Sequence, residues 1–272
     1  MKCLIFGCGR MGSAILKGIL RKDPVDMNFS VIEPQFINDS SIINSEVSIY
    51  ENIDYIDQEN RNFDLVIIAV KPQIVKKVVK ICRDKIKNDF LLISIAAGIK
   101  INFFESILGA NTRAIRAMPN TPVEIGQGVT VLFKSASISR SDEIIAENIF
   151  ESVGSLFWIE TEELMDVVTA ISGSGPAYVF YIAEIMIDAA LKAGLNAGQA
   201  ELMVLQMMKG AGCLLREISN KTAKELREEV TSPGGTTEAA LKVLMLNDVF
   251  SNIMQNAVSA AIQKSKELSK NN

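Results

Sequence analysis

The chain has 272 residues, 48% of them apolar or aromatic and 22% charged, a composition that belongs to a folded globular protein and excludes disordered or collagen-like chains. Its 28 Lys and Arg against 32 Asp and Glu form no clustered basic run, so nucleic acid is not an expected partner. Histidine is absent, which removes imidazole acid–base catalysis, Ser-His-Asp and Cys-His nucleophiles, and most zinc or iron sites.

Four cysteines (Cys3, Cys8, Cys82, Cys213) include no CxxC pair and suit the reduced thiols of a cytoplasmic protein. The apolar N-terminus is broken by Gly7, Gly9, Arg10 and Gly12 and has no cleavage-like end, so it reads as mature protein. The most apolar later stretch, 167–183, is interrupted by Ser172-Gly173-Ser174-Gly175-Pro176, and no membrane span is expected.

In chain order, residues 1–6, 28–33, 64–70, 90–96 and 112–117 read as strands, with helix-period segments at 11–21, 73–87 and 102–108. Runs such as Leu65-Val66-Ile67-Ile68-Ala69-Val70 lack polar alternation, as strands covered on both faces do. Further strands at 128–134 and 155–159 flank a helix at 139–153. From there on the signals are helical, at 176–193, 197–218, 223–230, 237–246 and 248–268. The fold class is therefore α/β, an N-terminal Rossmann-type doubly wound sheet over 1–160 followed by an all-α domain over 161–272. Ala-Leu-Met-rich stretches such as 201–215 carry more apolar surface than a small helical domain can cover, so a homodimer through this half is expected, with intradomain core as the alternative.

Gly7-Cys8-Gly9-Arg10-Met11-Gly12 is a GxGxxG between an expected strand and an expected helix, the context a dinucleotide fingerprint requires. Gly7 permits the tight turn, Gly9 lets the backbone approach a pyrophosphate, and Gly12 lets helix and sheet pack closely. About 20 residues on, Glu33 ends the second strand, where a carboxylate would accept the adenosine ribose hydroxyls and repel a 2′-phosphate, which leans towards NADH over NADPH. A solvated strand end is the plainer reading. Ala69-Val70-Lys71-Pro72 and Ala96-Ala97-Gly98 end strands where an open α/β sheet binds ligands. Lys71 reads as solvated or paired with cofactor oxygens rather than as a proton donor. Arg116-Ala117-Met118-Pro119-Asn120-Thr121-Pro122 brings a rigid loop to the same rim.

Ser172-Gly173-Ser174-Gly175-Pro176-Ala177-Tyr178 and Thr231-Ser232-Pro233-Gly234-Gly235-Thr236-Thr237 each place small residues before a helix, where exposed N–H groups either bind an anion or serve as ordinary caps.

In their order and over nearly the whole chain, these six segments resemble the motifs of pyrroline-5-carboxylate reductases. The resemblance implies reduction of Δ1-pyrroline-5-carboxylate to L-proline, the last step of proline biosynthesis, with NADPH or NADH, by a homodimer through the helical domain that can assemble into a ring of dimers. It implies that Gly7–Gly12, Ala69–Pro72, Ala96–Gly98 and the Met118-Pro119 rim hold the dinucleotide, with Asn52 on the adenosine side. It further implies that Gly234, Gly235, Thr236 and Thr237 hold the substrate carboxylate, together with the small-residue turn Ser174-Gly175-Pro176. Thr237 is the candidate catalytic residue, and no metal is implied. Many relatives place serine, asparagine or arginine where this chain has Glu33-Pro34-Gln35, which sets their NADPH preference in question here. A β-hydroxyacid dehydrogenase is a weaker reading, because its lysine one helical turn past the glycine motif is replaced by Val179. A non-catalytic dinucleotide sensor is the third.

Overall fold

Continuous apolar strands follow from a sheet that feeds two cores, because alternate side chains point to opposite faces. In the computed structural model, which describes residues 1–21, 27–35, 42, 46–218 and 220–270, the strands are β1 (Lys2–Phe6), β2 (Asn28–Ile32), β3 (Val47–Tyr50), β4 (Leu65–Ile68), β5 (Leu91–Ser94), β6 (Ala114–Met118), β7 (Gly128–Lys134) and β8 (Gly154–Trp158). They form one sheet in the order β3-β2-β1-β4-β5-β6-β7-β8. Ile5, Val31, Ile67, Ile93 and Ile115 fill the core on one face. Their chain neighbours Leu4, Ile32, Val66, Leu92 and Ala114 fill the other.

Helices α1 (Arg10–Arg21) and α4 (Arg140–Glu151) contribute Ile15, Leu16, Ile149 and Phe150 to the first core. Helices α2 (Pro72–Lys85) and α3 (Ile101–Leu108) contribute Val75, Val79 and Phe104 to the second. Each fully buried Leu, Ile, Val or Phe contributes about 1.5–3 kcal/mol relative to its exposed state. α4 starts at a capping box in which Ser139 and Asp142 satisfy each other's backbone N–H groups.

Strands β1 to β6 are mutually parallel, whereas β7 runs antiparallel to β6 and β8 is parallel to β7. The reversal follows from chain length. Residues 119–127 hold only a short 3-10 turn, Thr121–Ile125, and a parallel crossover needs a dozen or more residues, usually a helix. α4 supplies such a crossover between β7 and β8. Strand β3 carries no sequence expectation, because Val-Ser-Ile-Tyr is only four residues long and has a single aliphatic pair, Val47 and Ile49, to mark it.

The remaining α-helices among the described residues are α5 (Leu164–Val168), α6 (Gly175–Lys192), α7 (Ala197–Glu217), α8 (Ala223–Glu229), α9 (Thr236–Leu244) and α10 (Val249–Lys270). The chain divides into two compact units, one of residues 1–174 with the stretch from Ala261 onward, the other Gly175–Ala260. The change of composition at 160–163 marks where sheet gives way to helix, while the compact units part at Ser174.

In the second unit α6 packs on α7, whose N-terminus is capped by Asn196 with Gln199, and α8 is capped by Thr222 with Glu225. Its described buried apolar residues are Ala183, Ala200 and Val204, all small, while Phe180 is 65% and Leu202 72% exposed.

One expectation is corrected here. Ser172–Pro176 does not interrupt the helix: α5 passes through a π-helical turn, Thr169–Gly173, into α6, and Leu164–Lys192 forms one 29-residue helical stretch. By length and composition it would suffice to cross a membrane. Pro176 explains the π turn. It has no N–H and its ring crowds the carbonyl four residues back. Widening to i→i+5 bonding, as from Ser174 N–H to Thr169 O at 2.8 Å, absorbs both effects.

Candidate functional site

Parallel strands put their carboxyl ends on one edge, and strand order reverses between β1 and β4, the switch point where open α/β sheets bind ligands. Along that edge lie, in order, Glu33 after β2, Gly7–Gly12 after β1, Ala69–Pro72 after β4, Ala96–Gly98 after β5, and Met118-Pro119 at the end of β6.

The three glycines divide their work as their spacing predicts. Gly7 has φ +92°, and a Cβ there would lie 2.6 Å from the Ala69 carbonyl oxygen. At Gly12 a Cβ would lie 2.5 Å from the Gly7 carbonyl oxygen and 3.1 Å from the Ala69 Cβ, so this residue sets the closeness of helix and sheet. A Cβ at Gly9 would meet nothing within 4 Å. Open space over Gly9, at the start of α1, is the cradle a pyrophosphate needs, and the partial positive charge of the helix N-terminus lies beside it. Arg10 pairs with Glu124 at 3.1 Å, Met11 is half-buried, and Lys71 and Pro72 open α2 with the lysine exposed.

Glu33 is not a loose strand end. Its Oε2 accepts the Cys8 N–H at 2.8 Å and its Oε1 accepts the Gln35 N–H at 3.1 Å, which fixes the carboxylate against the glycine loop. Asn52 accepts the Asp54 N–H at 3.2 Å and lines, with Pro34, Glu51, Asp54 and Tyr55, an open recess of about 430 Å³ beside the Glu33 strand end. Tyr55, largely exposed in that recess, went unnoticed in the sequence, where a single aromatic in a polar loop carries no pattern.

Met118 reaches the turn before α6, since a Cβ on Gly173 would lie 2.6 Å from its Cε. Asn120 Oδ1 accepts the Val129 N–H at 2.9 Å and so holds the loop after β6 against β7. Burial pushes the thiols of Cys3 and Cys82 up, the latter to about 12, so neither is a thiolate at neutral pH. Among the described residues no cluster of acidic and sulfur ligands could hold a metal ion.

The two small-residue turns, each readable as an anion nest or an ordinary cap, differ from one another. Helical continuity at Ser174, Gly175 and Pro176 leaves no free helix N-terminus, and the Ser174 N–H is spent on Thr169 O. In the loop before α9, the Gly234 N–H donates to Glu238 Oε2 at 2.8 Å and the Gly235 N–H to Ser232 O at 3.0 Å. This loop already holds a carboxylate, that of Glu238, whose other oxygen pairs with Lys242 at 3.2 Å. Thr236 and Thr237 stand exposed at the start of α9. These two loops belong wholly or mainly to the second unit, the dinucleotide edge to the first.

The family model described as pyrroline-5-carboxylate reductase dimerisation matches residues 162–268, and that described as NADP oxidoreductase coenzyme F420-dependent matches residues 2–98. The pyrroline-5-carboxylate reductase of Arabidopsis thaliana is 34% identical over 97% of this chain and 94% of its own length. Among solved structures, a pyrroline-5-carboxylate reductase from Coxiella burnetii superposes with a TM-score of 0.87 at 33% identity, covering 98% of each chain. The pyrroline carboxylate reductase of Plasmodium falciparum, solved with NADP bound, superposes with a TM-score of 0.83 at 31% identity, covering 99% of this chain and 98% of that one. With relatives this similar along its whole length, the chain belongs to the pyrroline-5-carboxylate reductase family.

Proposed function

We propose that this chain reduces Δ1-pyrroline-5-carboxylate to L-proline with NADH or NADPH, the last step of proline biosynthesis, in the cytoplasm. The observation that carries the dinucleotide half is the open cradle over Gly9, held by the tight packing of Gly7 and Gly12. Gly7–Gly12 and the start of α1 hold the pyrophosphate, Glu33 and Asn52 the adenosine side, and Ala69–Pro72, Ala96–Gly98 and Met118-Pro119 the remaining length. Bound there, the dinucleotide supplies a hydride to the imine carbon.

A cyclic imine that arrives protonated is already electrophilic at carbon, so the chain's task is to align it and exclude water, which needs no histidine. Gly234, Gly235, Thr236 and Thr237 bind the substrate carboxylate, displacing the Glu238 side chain that takes a carboxylate's place in this structure. Thr237 hydrogen-bonds the ring nitrogen, and Ser174-Gly175-Pro176 shape the substrate side without acting as an anion nest.

Glu33 favours NADH. Each of its oxygens takes one N–H and keeps one lone-pair direction, which suits the two hydroxyls of a ribose and repels a 2′-phosphate. The helical half makes a homodimer, because the exposed apolar faces of α6 and α7 have nothing in their own unit to cover them; the family resemblance adds that such dimers assemble further into a ring. The long apolar stretch 164–192 is part of that interface rather than a membrane span.

Purified protein given pyrroline-5-carboxylate should oxidise NADH faster than NADPH and form proline, and Glu33→Ser should shift the ratio towards NADPH. Thr237→Ala should lower turnover with little change in thermal midpoint. Nucleotide binding without turnover would leave the sensor reading in place, and Thr237→Ala with parental kcat and KM would remove the threonine's role.

A further inference from the structure

A charged pair lies beneath the dinucleotide edge: Arg116, which opens the Arg116–Pro122 segment but is given no part in holding the dinucleotide, and Glu162, which lies outside the six segments. Arg116 points from β6 to the face it shares with Ala114, and its Nη1 donates to Glu162 Oε1 at 2.6 Å. The two side chains are 9% and 16% exposed. Burying both ions is costly unless they are paired and further hydrogen-bonded. The further bond is present: the same Glu162 oxygen accepts the Ile101 N–H at 2.8 Å.

That bond lies at the start of α3, where Lys100 supplies no side-chain cap. Glu162 therefore caps a helix from 61 residues away in sequence. Ile101 ends the segment that begins at Ala96, and the other end of this segment is also tied, since the Ser94 Oγ accepts the Ala96 N–H at 3.3 Å. Ser94 is the residue opposite Arg116 in the β5–β6 ladder. One acidic side chain thus joins the loop after β5 to the strand that ends in Met118-Pro119, immediately before the helix that begins at Leu164.

We propose that Arg116 and Glu162 are positioning residues for the dinucleotide, a buried ion pair that holds the loop 96–101 and the end of β6 in one fixed relation. The proposal rests on the reading above that Ala96–Gly98 and Met118-Pro119 hold the dinucleotide. Both ends of the pair and both loops lie in the first unit, so loss of the pair acts on nucleotide affinity and not on recognition of the imine carboxylate.

Leaving one buried ion unpaired is strongly destabilising, so the informative variant removes both charges. In the double variant Arg116→Met with Glu162→Gln, the glutamine oxygen still accepts the Ile101 N–H. NADH affinity is read from quenching of the single tryptophan, Trp158, and the imine KM at saturating NADH. The double variant should keep the parental thermal midpoint within a few degrees, weaken NADH about ten-fold, and leave the imine KM within about two-fold. A merely structural pair would move the midpoint and leave NADH affinity alone, and parental affinity in the folded double variant overturns the proposal.

Should the double variant not fold, Glu162→Asp decides. It keeps the charge but is too short to reach both Arg116 and the Ile101 N–H, so NADH should weaken by about three-fold or more; parental affinity again overturns the proposal. If the parent neither binds NADH nor turns over, the site reading itself falls and the proposal falls with it, an outcome distinct from a parent that binds and a variant that binds equally well.

Discussion

The two units use apolar residues in opposite ways. In the first, Phe29, Phe104, Phe150 and most of the strand isoleucines are essentially inaccessible to water, packed on two faces of one sheet. In the second, the described buried apolar residues are Ala183, Ala200 and Val204, while Phe180, Tyr181, Leu202 and Met203 face outward. A sheet closed by helices on both faces completes its core within one chain. A few helices packed through small residues do not, so the second unit's large side chains are surface to be covered by something else.

The sharpest test of that contrast is in the first unit. Phe104→Ala should lose about 3–5 kcal/mol of unfolding free energy in urea titration, because it empties a fully buried position in α3. A loss below about 1 kcal/mol would mean this core is not closed as described.

Leu202→Glu addresses the second unit. If this face is the proposed dimer interface, sedimentation should show dissociation at concentrations where the parent is assembled, a loss of about 2 kcal/mol or more. An unchanged assembly would show that the covered face lies elsewhere.

A smaller effect separates packing from binding inside the glycine loop. Gly12→Ala should destabilise by about 1–3 kcal/mol, since its Cβ would press on the Gly7 carbonyl. Gly9→Ala should stay within about 1 kcal/mol of the parent while weakening NADH. Equal stability losses at both positions would refute the division of roles.

The smallest effect is a pH dependence at the outer edge of the sheet. The Trp158 indole N–H, at 3.0 Å, and then Arg140 hold the Glu147 carboxyl below the usual carboxylate range. A lowered folded-state value means that its contribution is complete above the ordinary glutamate range and fades as pH falls through the lowered value. Trp158 emission should be flat at neutral pH and change only in acid, a step that Glu147→Gln removes.

The sequence made the first unit readable where one rule sufficed. Apolar runs marked every strand of the parallel core except β3, and the glycine spacing located the edge where Gly7, Gly9 and Gly12 lie. What escaped depended on partners distant in sequence. Nothing near Glu162 announces that it caps Ile101, because the acidic run Glu160-Thr161-Glu162-Glu163 at a change from sheet to helix looks like surface. The turn at 172–176 misled because Gly and Pro normally end helices, whereas here Pro176 is accommodated by a π turn and the helix continues. The reversal of β7 was implicit in the short link 119–127, but only once β6 and β7 were known to be neighbours.

The outward-facing residues of α6 and α7 also make completion of the second unit, in the proposed dimer, depend on how much of the chain is present. The first unit completes itself in a first-order process whose equilibrium ignores concentration. The second, in the proposed dimer, completes itself in a second-order one, so each ten-fold dilution removes about 1.4 kcal/mol per dimer. Halving synthesis therefore lowers the amount of assembled protein by more than half once the concentration falls near the dissociation constant, and the activity of the cell's pool becomes a steep function of how much of it is made.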